Sequence, residues 1–132
     1  MAFKSLNLSH REWVSLDCDP DKENPTQFQV RPLSARELSA CKDAATTFRA
    51  RAGTNGTAEE MDAQFNANFS NCEIVNKGLV NWKNFVTEDG VDVEFKKNKG
   101  VDLLPLDAVR ELSDKIEKLS VVELDEAKPS TV

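Results

Sequence analysis

Apolar positions along this chain follow two different periods, and the switches between them divide it into elements. Over residues 11–33 they alternate loosely, with Trp13-Val14-Ser15-Leu16 and Gln27-Phe28-Gln29-Val30 separated by a polar, proline-bounded stretch from Asp17 to Pro25. Alternation is the strand period, and Asp, Asn and Pro between two such runs predict a β-hairpin. Arg31-Pro32 follows, and because proline cannot donate to a ladder the second strand should stop there. The period then becomes helical. Ser34-Ala35-Arg36-Glu37 has the residues of a capping box, and Leu38, Cys41, Ala45 and Phe48 recur at helical spacing behind it. Gly53-Thr54-Asn55-Gly56 breaks the run. A second capping box, Thr57-Ala58-Glu59-Glu60, opens a long stripe of Met61, Phe65, Asn68 or Phe69, Cys72, Val75 and Leu79.

Extended pattern returns at Trp82–Val86 and Val91–Phe95, which flank Thr87-Glu88-Asp89-Gly90. An Asp-Gly pair supplies the positive φ angles of a primed hairpin turn, so the chain is expected to double back there. Leu103-Leu104-Pro105 ends the extended segment, since the fixed φ and missing N–H of proline suit a first helical turn. Asp107 adds an acid at the positive end of the helix dipole, and Val109, Leu112, Ile116 and Leu119 continue the helical stripe. Periodicity is lost from Asp125 to Val132, a tail expected to fray. The predicted fold is α+β: an N-terminal β-hairpin, two long packed helices, a second β-hairpin and a C-terminal helix. Residues 1–124 form one domain around a shared core, followed by the tail 125–132.

Composition narrows the function. The 132 residues are 39% hydrophobic and 30% charged, which is ordinary for a globular domain. No apolar run spans a membrane, and the N-terminus has no apolar stretch of secretory length, so a cytoplasmic location is expected. Asn-x-Ser/Thr sequons at Asn7, Asn55 and Asn68 are read as chance in that compartment. Seventeen basic against 23 acidic residues give a net charge of −6, without the cationic footprint of a nucleic-acid binder. The acids are interleaved with Lys96, Lys97, Lys99, Lys115 and Lys118, the pattern of a solvated surface rather than of a DNA mimic.

Signatures of chemistry are missing. The chain has no phosphate-binding glycine loop, no nucleophile elbow and no HExxH. Its one histidine, His10, has no orienting partner by spacing, and the adjacent acids Glu59-Glu60 and Asp125-Glu126 point apart on a helix. Cys18, Cys41 and Cys72 lack the close pairing of zinc ligands and read as buried free thiols. No catalytic residue, metal site or cofactor is expected. Trp82 and Phe85, at i and i+3, either continue the core or belong to an exposed apolar patch.

The segment Gly78–Leu119, with GLVNWKNF, an acidic Asp-Gly turn, VEF and DLLPLDAVRELSDKI, resembles the C-terminal half of the small tail assembly chaperones and related tail-cluster proteins of long-tailed bacteriophages. That resemblance covers about a third of the chain. It implies a non-enzymatic protein of the host bacterial cytoplasm that keeps the tape measure protein soluble and helps recruit tail tube subunits. Self-association is a further expectation, as are partner-binding positions at Trp82, Phe85, Leu103 and Leu104. Two other readings stand beside it: a small acidic phage protein that inhibits a host nucleic-acid enzyme or defence complex, or a structural tail tube or completion protein.

Overall fold

Gln27, Phe28, Gln29 and Val30 alternate half-buried and buried, and that alternation makes them the middle strand of a sheet. The computed structural model describes the backbone of residues 3–52 and 59–121 and the side chains of 3–44 and 67–121. Strands β1 (Glu12–Val14) and β2 (Gln27–Val30) form the expected N-terminal hairpin, with Trp13 opposite Gln29. Helices α1 (Ala35–Ala52) and α2 (Glu59–Gly78) pack together, and α2 runs straight into β3 (Leu79–Lys83). Strand β3 lies antiparallel to β2, giving a three-stranded sheet in the order β1-β2-β3. A 3-10 turn (Gly100–Leu103) then leads to α3 (Leu106–Leu119), which packs on α2. Three helices against a three-stranded antiparallel sheet make a small α+β protein.

The second hairpin differs from its sequence pattern. Trp82 belongs to β3 and faces Phe28, so the strand that should have paired with Val91–Phe95 is taken by β2. What survives is a reversal with a single bridge, Val86 to Asp92, and a bond from the Val93 N–H to the Phe85 carbonyl at 2.8 Å. The turn is not primed either. Its Gly90 N–H donates to the Thr87 carbonyl at 2.9 Å, and of its residues only Gly90 has positive φ, at 85°. That is a type I turn closed by a left-handed glycine. Leu79 is the first strand residue rather than the last of the helix stripe, and Gly100–Leu103 is 3-10 rather than extended. Pro105 is the N-cap, with ψ 158°, one residue before the first turn of α3.

The core joins sheet and helices: Leu16, Phe28 and Val30 from the hairpin, Leu33, Cys41, Ile74, Val75, Leu79 and Trp82 from the middle, and Ala108, Val109, Leu112 and Ile116 from α3. The capping box at Ser34 is made as its residues predict: the Glu37 N–H donates to Ser34 Oγ at 3.1 Å and the Ser34 N–H to Glu37 Oε1 at 3.0 Å. Gly78 is required by packing, because a Cβ there would sit 2.7 Å from Ile116 Cδ1 and 2.9 Å from its Cγ2. Buried polar groups are matched across elements. Ser113 Oγ donates to Asn71 Oδ1 at 2.9 Å, and Ser120 Oγ accepts the Leu33 N–H at 2.8 Å. The expected loop at Gly53–Gly56, the Thr57 capping box and the tail Asp125–Val132 lie outside the described residues, as do the side chains of Ala45, Phe48, Met61 and Phe65.

Candidate functional site: an apolar cleft beside an aromatic cluster

Trp82 is the centre of an aromatic cluster. Phe85 meets its ring at 4.6 Å between centroids, Phe95 at 5.0 Å edge-on from the returning segment, and Phe28 at 6.4 Å from the sheet. Its indole N–H donates to the Val93 carbonyl at 2.7 Å, so the polar edge of the ring is satisfied while its faces are packed. The excursion from Asn84 to Leu104 starts at a left-handed Asn84, φ 61°. Asn84 Nδ2 donates to the Asn24 carbonyl at 2.7 Å, and Thr26 Oγ1 donates to the Asn84 carbonyl at 2.8 Å. These bonds tie the excursion to the β1–β2 loop.

That loop is also held from the other side. Glu111, on α3, accepts the N–H groups of Asp17 at 2.6 Å and Cys18 at 3.1 Å. Desolvation raises the pKa of Glu111, but the Asp17 and Cys18 donors outweigh it and the net shift is downward. Within the loop, Asp19 accepts the N–H groups of Asp21 and Thr26, and Asp21 accepts those of Glu23 and Asn24. Its shape is therefore set by its own acids.

Two concavities flank the excursion. One, of about 460 Å³, is lined by Trp82, Val93, Leu103 and a balanced set of Glu94, Asp102, Lys96 and Lys99. The other, of about 310 Å³, has an apolar lining that includes Leu16, Phe28, Phe85, Val86, Leu104 and Ala108, with Asp19 as its one charged lining residue. The four positions singled out from sequence are thus divided. Phe85 and Leu104, both half-buried, line the second cleft, whereas Leu103, 55% exposed, lines the first. Trp82 is 6% exposed and belongs to the core. Sequence reasoning missed Leu16, Phe28, Val86 and Ala108 as cleft residues, and only Val86, 44% exposed beside a turn, carried a local signal.

The cysteines do not share one environment. Cys41 is buried and Cys72 half-buried, while Cys18 is exposed on the loop at the cleft, contrary to the buried-thiol expectation. Loops with short polar side chains carry their residues to the surface, and Cys18 follows its loop. Desolvation and the Glu111 carboxylate push the Cys18 thiol above its usual range, and burial does the same for Cys41 and Cys72. All three are protonated at neutral pH. His10 Nε2 lies 3.1 Å from Glu12 Oε1 at the surface. Among the described residues no three His, Cys, Asp or Glu side chains are grouped to hold a metal ion, and no helix is long and apolar enough to cross a membrane. No protein family, curated protein or solved structure matches this chain.

Proposed function

We propose that this chain is a binding protein with no chemistry of its own, acting as a phage tail assembly chaperone that shields an apolar segment of the tape measure protein and helps recruit tail tube subunits. The observation that supports it is the 310 Å³ cleft, whose walls are apolar and which is open at the surface between two tied loops. An amphipathic segment is recognised by laying its apolar face into such a groove. An engineered apolar cavity of about 150 Å³ holds one benzene ring, so this cleft accommodates roughly two large apolar side chains. The resemblance of Gly78–Leu119 to the chaperone family supplies the identity of the partner.

Co-expression of the chain with the tape measure protein of the same phage tests this. The wild type should keep that protein in the soluble fraction, and Val86→Ser, which removes an exposed wall of the cleft, should release it to the pellet. Leu103→Ser, on the other concavity, should retain solubilisation. A tape measure protein equally insoluble with and without the chain would defeat the chaperone reading.

A further inference from the structure

One wall of the apolar cleft is the β1–β2 loop, which lends it Cys18, Asp19, Pro20 and Thr26. That loop is built as a unit of its own. Asp19 and Asp21 cap its N–H groups, the Asp19 N–H donates to the Leu16 carbonyl at 3.1 Å, and Lys22 Nζ is turned onto the Asp17 carbonyl. None of residues 17–26 belongs to the core. The loop is anchored before by buried Leu16 and behind by the bonds of Asn84 to Asn24, Pro25 and Thr26. Between those anchors, Glu111 is the one group outside the loop, among the described residues, that bonds residues 17–23. Both of its oxygens are engaged, Oε2 by the Asp17 N–H and Oε1 by the Cys18 N–H. It stands in the middle of α3, which is fixed in the core by Ala108, Val109, Leu112 and Ile116.

We propose that Glu111 is the positioning residue of the cleft, a latch whose negative charge holds the β1–β2 loop in place as a wall and whose neutralisation lets that wall swing away from α3. This rests on the binding reading of the same cleft and adds how its occupancy is controlled. A charged carboxylate accepts two neighbouring N–H donors strongly, whereas the neutral acid must place a proton of its own on one oxygen. The charged and titratable groups around it are Asp17, Cys18 and Lys22 from the loop, Asp107 and Lys115 from its own helix, and Glu12 from β1, which lines a small cavity with Lys115. Lys115 Nζ, 3.8 Å away, favours the charged form. Desolvation opposes the charge, but the Asp17 and Cys18 donors bring the carboxyl below its ordinary 4.5. The latch is therefore complete above 4.5 and is lost as pH falls through the lowered value.

The test uses the full chain, Nile red as a neutral apolar probe, and amide hydrogen exchange at Asp17 and Cys18. In Glu111→Gln, uncharged and nearly isosteric, the two amides should exchange at least about tenfold faster at pH 6 while those of α3 keep their protection. Nile red should bind about fivefold more weakly, because one wall of the cleft no longer contacts it. Glu111→Asp keeps the charge and shortens the reach by one methylene, so it should shift both readings the same way and serves if the glutamine variant does not fold. Between pH 6 and 3.5 the wild type should lose dye affinity and amide protection together, while Glu111→Gln stays flat. Unchanged exchange in both variants, or parallel pH profiles, would overturn the proposal. Val86→Ser should weaken the dye as well. Dye lost there but retained by both Glu111 variants would remove the latch and leave the cleft reading standing. Dye indifferent to Val86→Ser, with fast exchange in Glu111→Gln, would remove the cleft reading and leave Glu111 holding the loop.

Discussion

Arg31 connects three chain segments through one side chain. Its backbone N–H donates to the Gly78 carbonyl at 2.9 Å and its Nε to the Lys77 carbonyl at 3.1 Å, so two carbonyls at the C-terminus of α2 that have no helical donor are satisfied. Its guanidinium then makes a two-pronged contact with Glu37, 3.3 and 3.0 Å, at the start of α1. The capping box was legible in the sequence because all its members lie within four residues. In the sequence Arg31 shows only as the neighbour of Pro32, since the α2 carbonyls it satisfies lie 46 and 47 residues away and no local pattern encodes them. The guanidinium, and then the Ser34 N–H, hold the Glu37 carboxyl down to about 2 from an ordinary 4.5. A lowered folded-state pKa contributes stability that is complete above 4.5 and is lost as pH falls toward 2. Glu37→Gln cannot ionise. The urea midpoint of wild type should therefore exceed that of the variant at pH 6, and the gap should close between about pH 4.5 and 2; a gap constant with pH would show that the charge of Glu37 contributes nothing.

Elements with a strong local period emerged where the pattern put them: the first hairpin, α1 behind its box, and the α3 stripe of Val109, Leu112 and Ile116. The segment from Leu79 to Leu104 did not. Its extended pattern was real, but the choice of partner strand was made by β2, whose buried Phe28 places Trp82 opposite it, and that pairing is invisible to any local window. The turn at its tip was recognised by Asp-Gly, yet the backbone distributes the strain differently, leaving Asp89 at negative φ and Gly90 alone in the left-handed region. A Cβ on Gly90 would meet no atom within 4 Å, so any cost of substitution is conformational. Gly90→Val should destabilise by about 1–3 kcal/mol, because a branched Cβ is strongly disfavoured at positive φ, and Gly90→Ala by about 1 kcal/mol. Asp89→Ala should stay within about 0.5 kcal/mol. Urea unfolding monitored by circular dichroism measures all three, and a Val variant as stable as the Ala variant would mean that the turn relaxes out of its left-handed geometry.

At the scale of the molecule, the cleft follows from the topology. The β1–β2 loop meets both the excursion and α3 because Asn84 and Glu111 fasten it between them. No reading of composition could have shown it. The chain carries 23 acids against 17 bases, and the folded state holds that surplus of like charge closer together than the expanded chain does. Salt should then stabilise the fold. Raising sodium chloride from 20 to 300 mM should increase the urea midpoint, since exposed like-charge pairs cost on the order of 0.2–0.5 kcal/mol each when they are unscreened. The double variant Glu88→Lys/Asp89→Lys replaces two of these acids by cations and leaves every described hydrogen bond of the turn backbone in place. It should be more stable than wild type at 20 mM salt and gain less from added salt, with the two proteins converging at 300 mM. Parallel salt curves for the two would mean that Glu88 and Asp89 are too far from the other acids, or too well hydrated, to be repelled by them.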